Sequence, residues 1–240
     1  MDEAKPKQHI WYSKVVDLSH TIDTTSPQWP GDPPIEFEAT SHIAKHGFYL
    51  RKLSMGEHSA THMNAPNSFH KTGIAIDAYS PESLIAPAVV IDIRDKTVNN
   101  PNYTLSLNDI QAWEHTHDLI AAHSVVILFT GWQNKWNNPL AYFNEDAYGD
   151  MHFPGFSIAA TTFLLEERNI AGIGIDTHGV DPGQNKSFAI NTLVLAEPRI
   201  VLENLTHLDQ LPAKGTTLVL GILRLHNGSG SPLAVTALIP

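Results

Sequence analysis

The chain has 240 residues, of which 42% are hydrophobic, and its formal net charge is −10 with only 15 lysines and arginines. This length and composition fit one globular domain with a full core, and the acidic balance argues against nucleic acid as a partner. Because the chain contains no cysteine, disulfides and thiolate metal ligands are excluded.

Two further features favour a cytoplasmic location. Residues 1–14 are polar, are interrupted by Pro6 and lack the apolar core of a signal peptide. No run of eighteen apolar residues occurs in the chain, so we expect no membrane-spanning segment.

In the first quarter of the chain the pattern predicts short strands. Residues 15–18 are typical of a strand, and residues 26–34 form a proline-rich segment suited to turns. Residues 35–41 and 48–55 alternate apolar and polar side chains, which is the period of a half-buried strand. We expect these last two segments to pair as antiparallel strands.

The remainder of the chain alternates strands and helices. Residues 86–93 and 124–130 are apolar runs rich in β-branched residues, typical of strands covered on both faces. Residues 106–113 and 157–168 place apolar residues at helical spacing, and each begins with a serine that can cap a helix. Further strands are predicted at residues 170–175, 200–205 and 217–225.

This order of elements predicts a single α/β domain with a mixed sheet. Its expected bounds are residues 15–240, and residues 1–14 are expected to form a polar N-terminal extension.

The segment from His58 to His70 carries the clearest chemical signal. His58 and His62 lie four residues apart, and Asn64 and Ser68 follow within the same segment. Imidazole is the commonest side-chain metal ligand at neutral pH, and two imidazoles with a nearby oxygen ligand make half of a transition-metal site. The alternative is a polar loop whose histidines hydrogen-bond to the backbone.

Two later segments contain polar residues that could complete such a site. Asp176 and His178 directly follow an apolar strand, and in open α/β sheets ligands bind at the carboxyl ends of strands. The alternative for them is an ordinary exit from a strand into a loop. Glu203 lies in an apolar strand, where a carboxylate is costly unless it is paired or bound to a metal, but it could equally face solvent.

Trp132 and Trp136 follow the apolar run at residues 124–130. Either they line a pocket for a flat or apolar substrate, or they anchor the core, which is the more frequent role of tryptophan.

Taken together, several segments resemble, in order and approximate spacing, the cyclase family of metal-dependent hydrolases. That family includes bacterial kynurenine formamidase and isatin hydrolase. The resemblance covers most of the chain. Besides the segment beginning at His58, the matching segments are Asp17-Leu-Ser-His20, Trp29-Pro-Gly-Asp32, Thr130-Gly-Trp132, Phe153-Pro-Gly155, Gly174-Ile-Asp176, Glu203-Asn-Leu205 and Gly230-Ser-Pro232.

The chain departs from the family pattern at three positions. The hallmark segment is commonly His-x-Gly-Thr-His-x-Asp-x-Pro-x-His, and here Asn64 holds the Asp position and Ser68 the final His position. Asn191 stands twelve residues before Glu203, where the family often has His. Because Asn bridges two metals poorly, we expect one divalent cation per subunit, Zn²⁺ or Mn²⁺, rather than two. The expected ligands are His58, His62 and Asn64.

The resemblance also implies a fold, an activity and further site residues. It implies a mixed, barrel-like sheet with flanking helices, and a homodimer or homotetramer. The implied activity is metal-dependent hydrolysis of a small amide, formamide, lactam or lactone. The reaction would be arylformamidase-like, on N-formylkynurenine from tryptophan catabolism, or isatin hydrolase-like. The alternative is a catalytically altered small-molecule-binding protein on the same scaffold.

A small, aromatic substrate is expected, and its contacts are assigned to residues in two groups. The candidate catalytic residues are His70, His178 and Glu203, with either histidine expected to be a base tuned near neutral pH. The candidate substrate-binding residues are Trp29, Ser68, Trp132 and Asn191.

Overall fold

The computed structural model describes residues 9–240. Residues 1–8, most of the predicted N-terminal extension, lie outside the described residues. The strands are β1 (Lys14–Asp17), β2 (Glu36–Ser41), β3 (Leu50–Ser54), β4 (His62–Asn64), β5 (Ile85–Asp92), β6 (Thr104–Leu105), β7 (Val125–Phe129), β8 (Gly155–Phe156), β9 (Gly172–Ile175), β10 (Ile200–Glu203), β11 (Thr216–Ile222) and β12 (Gly230–Ile239).

The α-helices are short. They are α1 (Ile43–His46), α2 (Arg94–Thr97), α3 (Leu107–His117), α4 (Pro139–Phe143), α5 (Ile158–Arg168) and α6 (Ala189–Val194). Short 3-10 helices cover Pro66–Ser68, Ile76–Ala78, Pro81–Leu84, Trp132–Lys135 and Leu208–Gln210. None of the helices in the described part of the chain is both long and apolar enough to cross a membrane.

An eight-stranded mixed sheet organises the fold. Its strand order is β1-β12-β11-β5-β7-β9-β10-β4, and an additional pairing of β12 with β4 closes seven of the strands into a barrel-like ring. The central strands β5, β7, β9 and β10 run parallel to one another, whereas the other pairings in this sheet are antiparallel. The predicted α/β class with a mixed, barrel-like sheet is confirmed.

Alternation along β7 explains why its sequence is apolar throughout. Val125 and Ile127 face the inner core of the ring, together with residues of β11 and β12. Val126 and Leu128 face a second core, which α3 and α5 cover from outside. A strand buried on both faces reads as a continuous hydrophobic run rather than as an alternating one.

Both predicted helices form, as α3 and α5, and each is capped by a serine. The side chain of Ser106 accepts a hydrogen bond from the backbone N–H of Asp109, and the carboxylate of Asp109 accepts one from the backbone of Ser106. Ser157 caps α5 through the backbone N–H of Ala160. The first helix extends to His117, four residues beyond its predicted end.

The sequence patterns missed two strands of the ring. The predicted loop after His58 contains β4, and the long β12 near the C-terminus was not predicted. The antiparallel pair β2–β3 forms as expected, but nine of its eleven residues are exposed, and none is buried. The prediction of half-buried strands is therefore corrected, since the pair protrudes from the body of the chain.

Candidate functional site

Strand pairing brings the predicted polar residues together at one end of the ring. β4 and β10 are antiparallel neighbours, with His62 opposite Glu203 and Asn64 opposite Val201. Because side chains two residues apart on a strand share a face, His62, Asn64 and Glu203 point to the same side of the sheet.

These residues border a cavity of about 350 Å³. Its polar lining includes His58, His62, Asn64, Asn191, Glu203, Asp181, Asp32, Ser68 and Ser229. Its apolar lining is aromatic, with Trp29, Phe69, Phe153 and Phe188 beside the ring of His178. The cavity therefore combines a polar floor with an aromatic wall, and its size suits a small ligand.

Glu203 is the most heavily engaged group of the polar floor. Its Oε1 accepts hydrogen bonds from the backbone N–H of Val180 at 2.9 Å and from Nδ2 of Asn191 at 3.1 Å. Its Oε2 lies 3.1 Å from Nδ2 of Asn64 and 3.0 Å from Nε2 of His62. Burial by itself would raise the pKa of Glu203, but its contact with His62 and these hydrogen bonds lower it to about 2. Glu203 is therefore an ionised acceptor at neutral pH.

The two asparagines that replace the expected family residues are hydrogen-bonded to each other. Nδ2 of Asn64 donates to Oδ1 of Asn191 at 3.0 Å. Asn191 in turn donates from its Nδ2 to Asp181 at 3.2 Å, and Asp181 also accepts the backbone N–H groups of Ile190 and Asn191 at the start of α6. This network fixes the orientation of Asn64, with its Oδ1 facing away from Glu203.

The hydrogen bonds locate one proton of His62. Nδ1 of His62 lies 2.9 Å from the carbonyl oxygen of Ala60, which can only accept, so Nδ1 carries the proton. Nε2 faces Oε2 of Glu203 at 3.0 Å, where an imidazolium donates a hydrogen bond to the carboxylate and a neutral imidazole presents a lone pair. His58 has an oxygen beside each ring nitrogen, since Nδ1 lies 2.8 Å from Oδ1 of Asn64 and Nε2 lies 2.9 Å from the hydroxyl oxygen of Ser229.

With neutral imidazoles protonated on the opposite nitrogen, a lone pair would face an oxygen at two places in the cavity floor, at Oε2 of Glu203 and at Oδ1 of Asn64. Protonating both imidazoles would satisfy them, but burial, reinforced by neighbouring His62, lowers the pKa of His58. A divalent cation supplies the same positive charge without a buried imidazolium.

The predicted donors His58, His62 and Asn64 therefore fit a metal ion, provided that an amide oxygen serves as one of the ligands. Nδ1 of His58 and Oδ1 of Asn64 are 2.8 Å apart, close to the separation of about 3 Å between adjacent ligands of a cation bound at about 2.1 Å. Among residues 9–240, no three or more His, Cys, Asp or Glu side chains form a group that could hold a metal. The third donor must accordingly come from the amide oxygen of Asn64.

His178 lies in an aromatic box. Its ring stacks on Phe143 at 4.8 Å and meets Tyr142 edge-on at 4.3 Å and Trp29 at 6.0 Å. Within the described part of the chain its buried Nε2 has no hydrogen-bond partner. Burial lowers the pKa of His178 to about 3. These surroundings favour the neutral imidazole, and the catalytic role expected for His178 stays a prediction.

Other predicted site residues divide between the cavity and its surroundings. Trp29, Ser68 and Asn191 line the cavity. His70 is not part of the lining, and its Nε2 lies 2.8 Å from the carbonyl oxygen of Thr192. Trp132 also lies outside the lining: it is 3% exposed, and its Nε1 donates to the carbonyl oxygen of Tyr142 in the core. The structure thus does not bring His70 or Trp132 to the cavity.

The sequence interpretation missed several lining residues, including Asp32, Asp181, Phe188 and Ser229. Asp32 ends the segment Trp29-Pro-Gly-Asp32 that carries part of the family resemblance, so a signal for it was present. Phe188 and Ser229 belong to loop segments without a distinctive pattern, and only the fold places them beside the cavity.

The comparisons agree on one family. The family model described as "Putative cyclase" matches residues 16–182. An isatin hydrolase from Roseibium aggregatum is 32% identical over 95% of this chain and 92% of the relative. A kynurenine formamidase from Paracidovorax citrulli is 25% identical over 93% of this chain and 96% of the relative.

A solved structure extends this similarity to the fold. Isatin hydrolase A from Ralstonia solanacearum superposes with a TM-score of 0.89 and 34% sequence identity, covering 95% of this chain and 92% of that one. The barrel-like ring is therefore a feature of a shared architecture rather than of this sequence alone.

Proposed function

The chain belongs to the cyclase family, in which its relatives are hydrolases of amide C–N bonds, and we propose that it is a metal-dependent hydrolase of a small aromatic amide. The observation that carries this proposal is the juxtaposition of a polar floor with an aromatic wall in a single cavity. An aromatic ring packs against the wall while the amide reaches the polar atoms of the floor.

We assign His58, His62 and Asn64 as the ligands of one Zn²⁺ or Mn²⁺ ion. When bound, the cation polarises the amide carbonyl as a Lewis acid and makes a nearby water more acidic. The choice between the two metals stays a prediction, because imidazole and amide oxygen ligands suit either.

The remaining floor residues hold these ligands in place. Glu203 accepts a hydrogen bond from Nδ2 of Asn64 and so orients this ligand, while the carbonyl oxygen of Ala60 holds the non-ligating Nδ1 of His62. Asn191 holds Glu203 and Asn64 together through its amide. With its pKa lowered to about 2, Glu203 is an acceptor for a proton or hydrogen bond rather than an acid at neutral pH.

His178 is assigned to substrate contact. A neutral imidazole with an unpartnered nitrogen is a costly feature inside an aromatic box, and the ring lines the cavity. We propose that it offers a hydrogen bond to a polar atom on the ring of the substrate, and that it does not shuttle protons at neutral pH. Ser68 and Trp29 complete the substrate contacts.

A cyclic aromatic amide of the isatin type is the favoured substrate. The isatin hydrolase relative is more similar to this chain than the kynurenine formamidase is. Ser68 also places a hydroxyl, rather than an imidazole, at the cavity position where the family pattern has its final histidine.

Turnover of isatin and of N-formylkynurenine, each measured with Mn²⁺, Zn²⁺ or a chelator, tests the proposal. We expect metal-dependent opening of isatin, loss of activity in His62→Ala, and normal activity in the control His115→Ala, which changes an exposed histidine. Tight binding of isatin without any turnover would instead favour the alternative of a small-molecule-binding protein on this scaffold.

We also propose a homodimer or homotetramer in which the protruding β2–β3 pair contacts another subunit. The segment exposes an unusual number of large apolar side chains, namely Ile43, Phe48, Tyr49, Leu50 and Leu53. Light scattering after size exclusion tests this, and Leu53→Lys should reduce the mass if the segment is an interface. A wild-type monomer would contradict the proposal.

The expected cytoplasmic location stays a prediction, which cell fractionation tests.

A further inference from the structure

We propose that Glu57 is a positioning residue, which acts through Ser229 to fix the tautomer of His58 so that Nδ1 presents a lone pair to the cation site. This inference deepens the proposed function and rests on it, because the orientation of a ligand matters only if a cation binds there. Glu57 is not among the residues that line the cavity, so its effect passes through its neighbours.

The contacts form a continuous chain from the carboxylate to the imidazole. Oε2 of Glu57 accepts both the backbone N–H and the hydroxyl of Ser229, each at 2.7 Å. The same hydroxyl oxygen lies 2.9 Å from Nε2 of His58. The residues are far apart in sequence, since 172 positions separate Glu57 from Ser229.

The direction of these hydrogen bonds follows from the number of protons. A serine hydroxyl has one proton, and a carboxylate has none to give, so the hydroxyl proton of Ser229 points to Glu57. The oxygen of Ser229 can then only accept from His58, which requires the proton of His58 to be on Nε2. In the neutral imidazole, Nδ1 therefore carries a lone pair, and this atom lies 2.8 Å from Oδ1 of Asn64.

Two glycines make room for this chain of contacts. A Cβ atom on Gly230 would lie 2.6 Å from Cε1 of His58, and one on Gly228 would lie 3.1 Å from Oε1 of Glu57. The glycines on either side of Ser229 therefore let the imidazole and the carboxylate approach it closely.

A carboxylate behind the hydroxyl also has an electrostatic effect. Partners of the non-ligating nitrogen fix the ring orientation and raise the basicity of a histidine ligand, and their loss typically weakens metal affinity by about 10- to 100-fold. We expect this range for Glu57→Gln and for Ser229→Ala.

Two measurements on the full-length protein test the inference. Long-range ¹H–¹⁵N spectra of ¹⁵N-histidine-labelled, metal-free protein report which nitrogen of His58 is protonated. We expect the proton on Nε2 in the wild type and on Nδ1, facing Asn64, in Ser229→Ala. Calorimetric titration with Zn²⁺ gives the affinity, which should fall in Ser229→Ala and Glu57→Gln and be largely restored in Ser229→Thr, which keeps the hydroxyl.

The control Glu38→Gln removes the same charge from an exposed residue that pairs with Lys52 at 3.9 Å, and should leave both readouts unchanged. Thermal unfolding confirms that each variant is folded. Unchanged tautomer and Zn²⁺ affinity in both Ser229→Ala and Glu57→Gln would overturn the inference. If the wild type bound no Zn²⁺, the proposed metal-dependent function would fail, and the tautomer spectra would still decide the role of Glu57 and Ser229.

Discussion

Nε2 of His62 lies 3.0 Å from Oε2 of Glu203, and the two residues are direct partners across the antiparallel strands β4 and β10. The register of one strand pair thus sets the contact between a candidate ligand and the buried carboxylate beside it. Slipping this register by one residue would turn both side chains to the other face of the sheet.

Replacing Glu203 should affect stability and activity together. The pKa of Glu203 falls from its ordinary value of 4.5 to about 2 in the folded chain. Such a carboxylate contributes about 3 kcal/mol of stability that is present above pH 4.5 and is lost as the pH falls towards 2. In Glu203→Gln we expect a flatter dependence of unfolding free energy on pH between these values, and turnover reduced about 10- to 100-fold. Denaturant unfolding at several pH values checks this, and an unchanged pH profile would contradict the assigned ionisation.

Two buried histidines should make the protein sensitive to mild acid. Burial lowers the pKa of His178 to about 3, and burial together with His207 lowers that of His20 to about 4. Between the ordinary value of 6.5 and these values, the unfolded chain binds more protons than the folded chain, so stability falls as the pH drops below 6.5. We expect His178→Phe to lose less stability than the wild type between pH 7.5 and 4.5. Equal losses in thermal melts would argue that His178 is not buried in its neutral form.

Introducing a second carboxylate beside Glu203 should destabilise the metal-free protein and strengthen its binding of metal. Nδ2 of Asn64 lies 3.1 Å from Oε2 of Glu203, so Asn64→Asp places two carboxylates in contact and removes a donor. We expect a lower melting temperature for the metal-free variant and tighter Zn²⁺ binding than in the wild type. Melting curves with and without Zn²⁺ measure both effects. Weaker binding by the variant would show that Asn64 is not a ligand.

A matched pair of glycine substitutions tests the packing around His58. Gly230→Ala would place a Cβ atom 2.6 Å from Cε1 of His58 and 2.9 Å from the carbonyl oxygen of Met63. We expect it to lose about 1–3 kcal/mol of stability and most of its metal affinity. In the control Gly221→Ala the nearest atom is the carbonyl oxygen of Ala234 at 3.4 Å, so little change is expected. Similar affinities in the two variants would refute the packing constraint on His58.

Substitutions of the two tryptophans that were predicted to bind substrate should have different effects on KM and on melting temperature. Trp29 lines the cavity, so Trp29→Leu should raise KM several-fold with little change in melting temperature. Trp132 is buried and hydrogen-bonded in the core, so Trp132→Phe should lower the melting temperature and leave KM nearly unchanged. Steady-state kinetics beside thermal melts resolve the two cases, and the reverse pattern would exchange the roles assigned here.

The sequence predicts well what depends on local patterns. The apolar runs that became β5 and β7 and the serine caps of α3 and α5 are visible in short windows. The closure of the ring by β12 and β4 is not visible in the sequence, because pairing between distant segments leaves no periodic pattern.

The same distinction applies to the site. His58, His62 and Asn64 lie within one segment, so it could be predicted that their side chains lie close together. Trp132 could not be assigned, because a core tryptophan and a pocket tryptophan have the same local surroundings in sequence. The contact of Ser229 with Glu57 depends entirely on the fold.

The central claim is that this cavity hydrolyses an aromatic amide with the help of one metal ion. The most direct test adds Mn²⁺ or Zn²⁺ stepwise to chelator-treated protein and follows isatin opening in the same sample. We expect turnover to rise from background and to saturate at about one metal per chain, with His62→Ala remaining at background. Equal turnover in the presence of excess chelator, or none at any metal concentration, would contradict the claim.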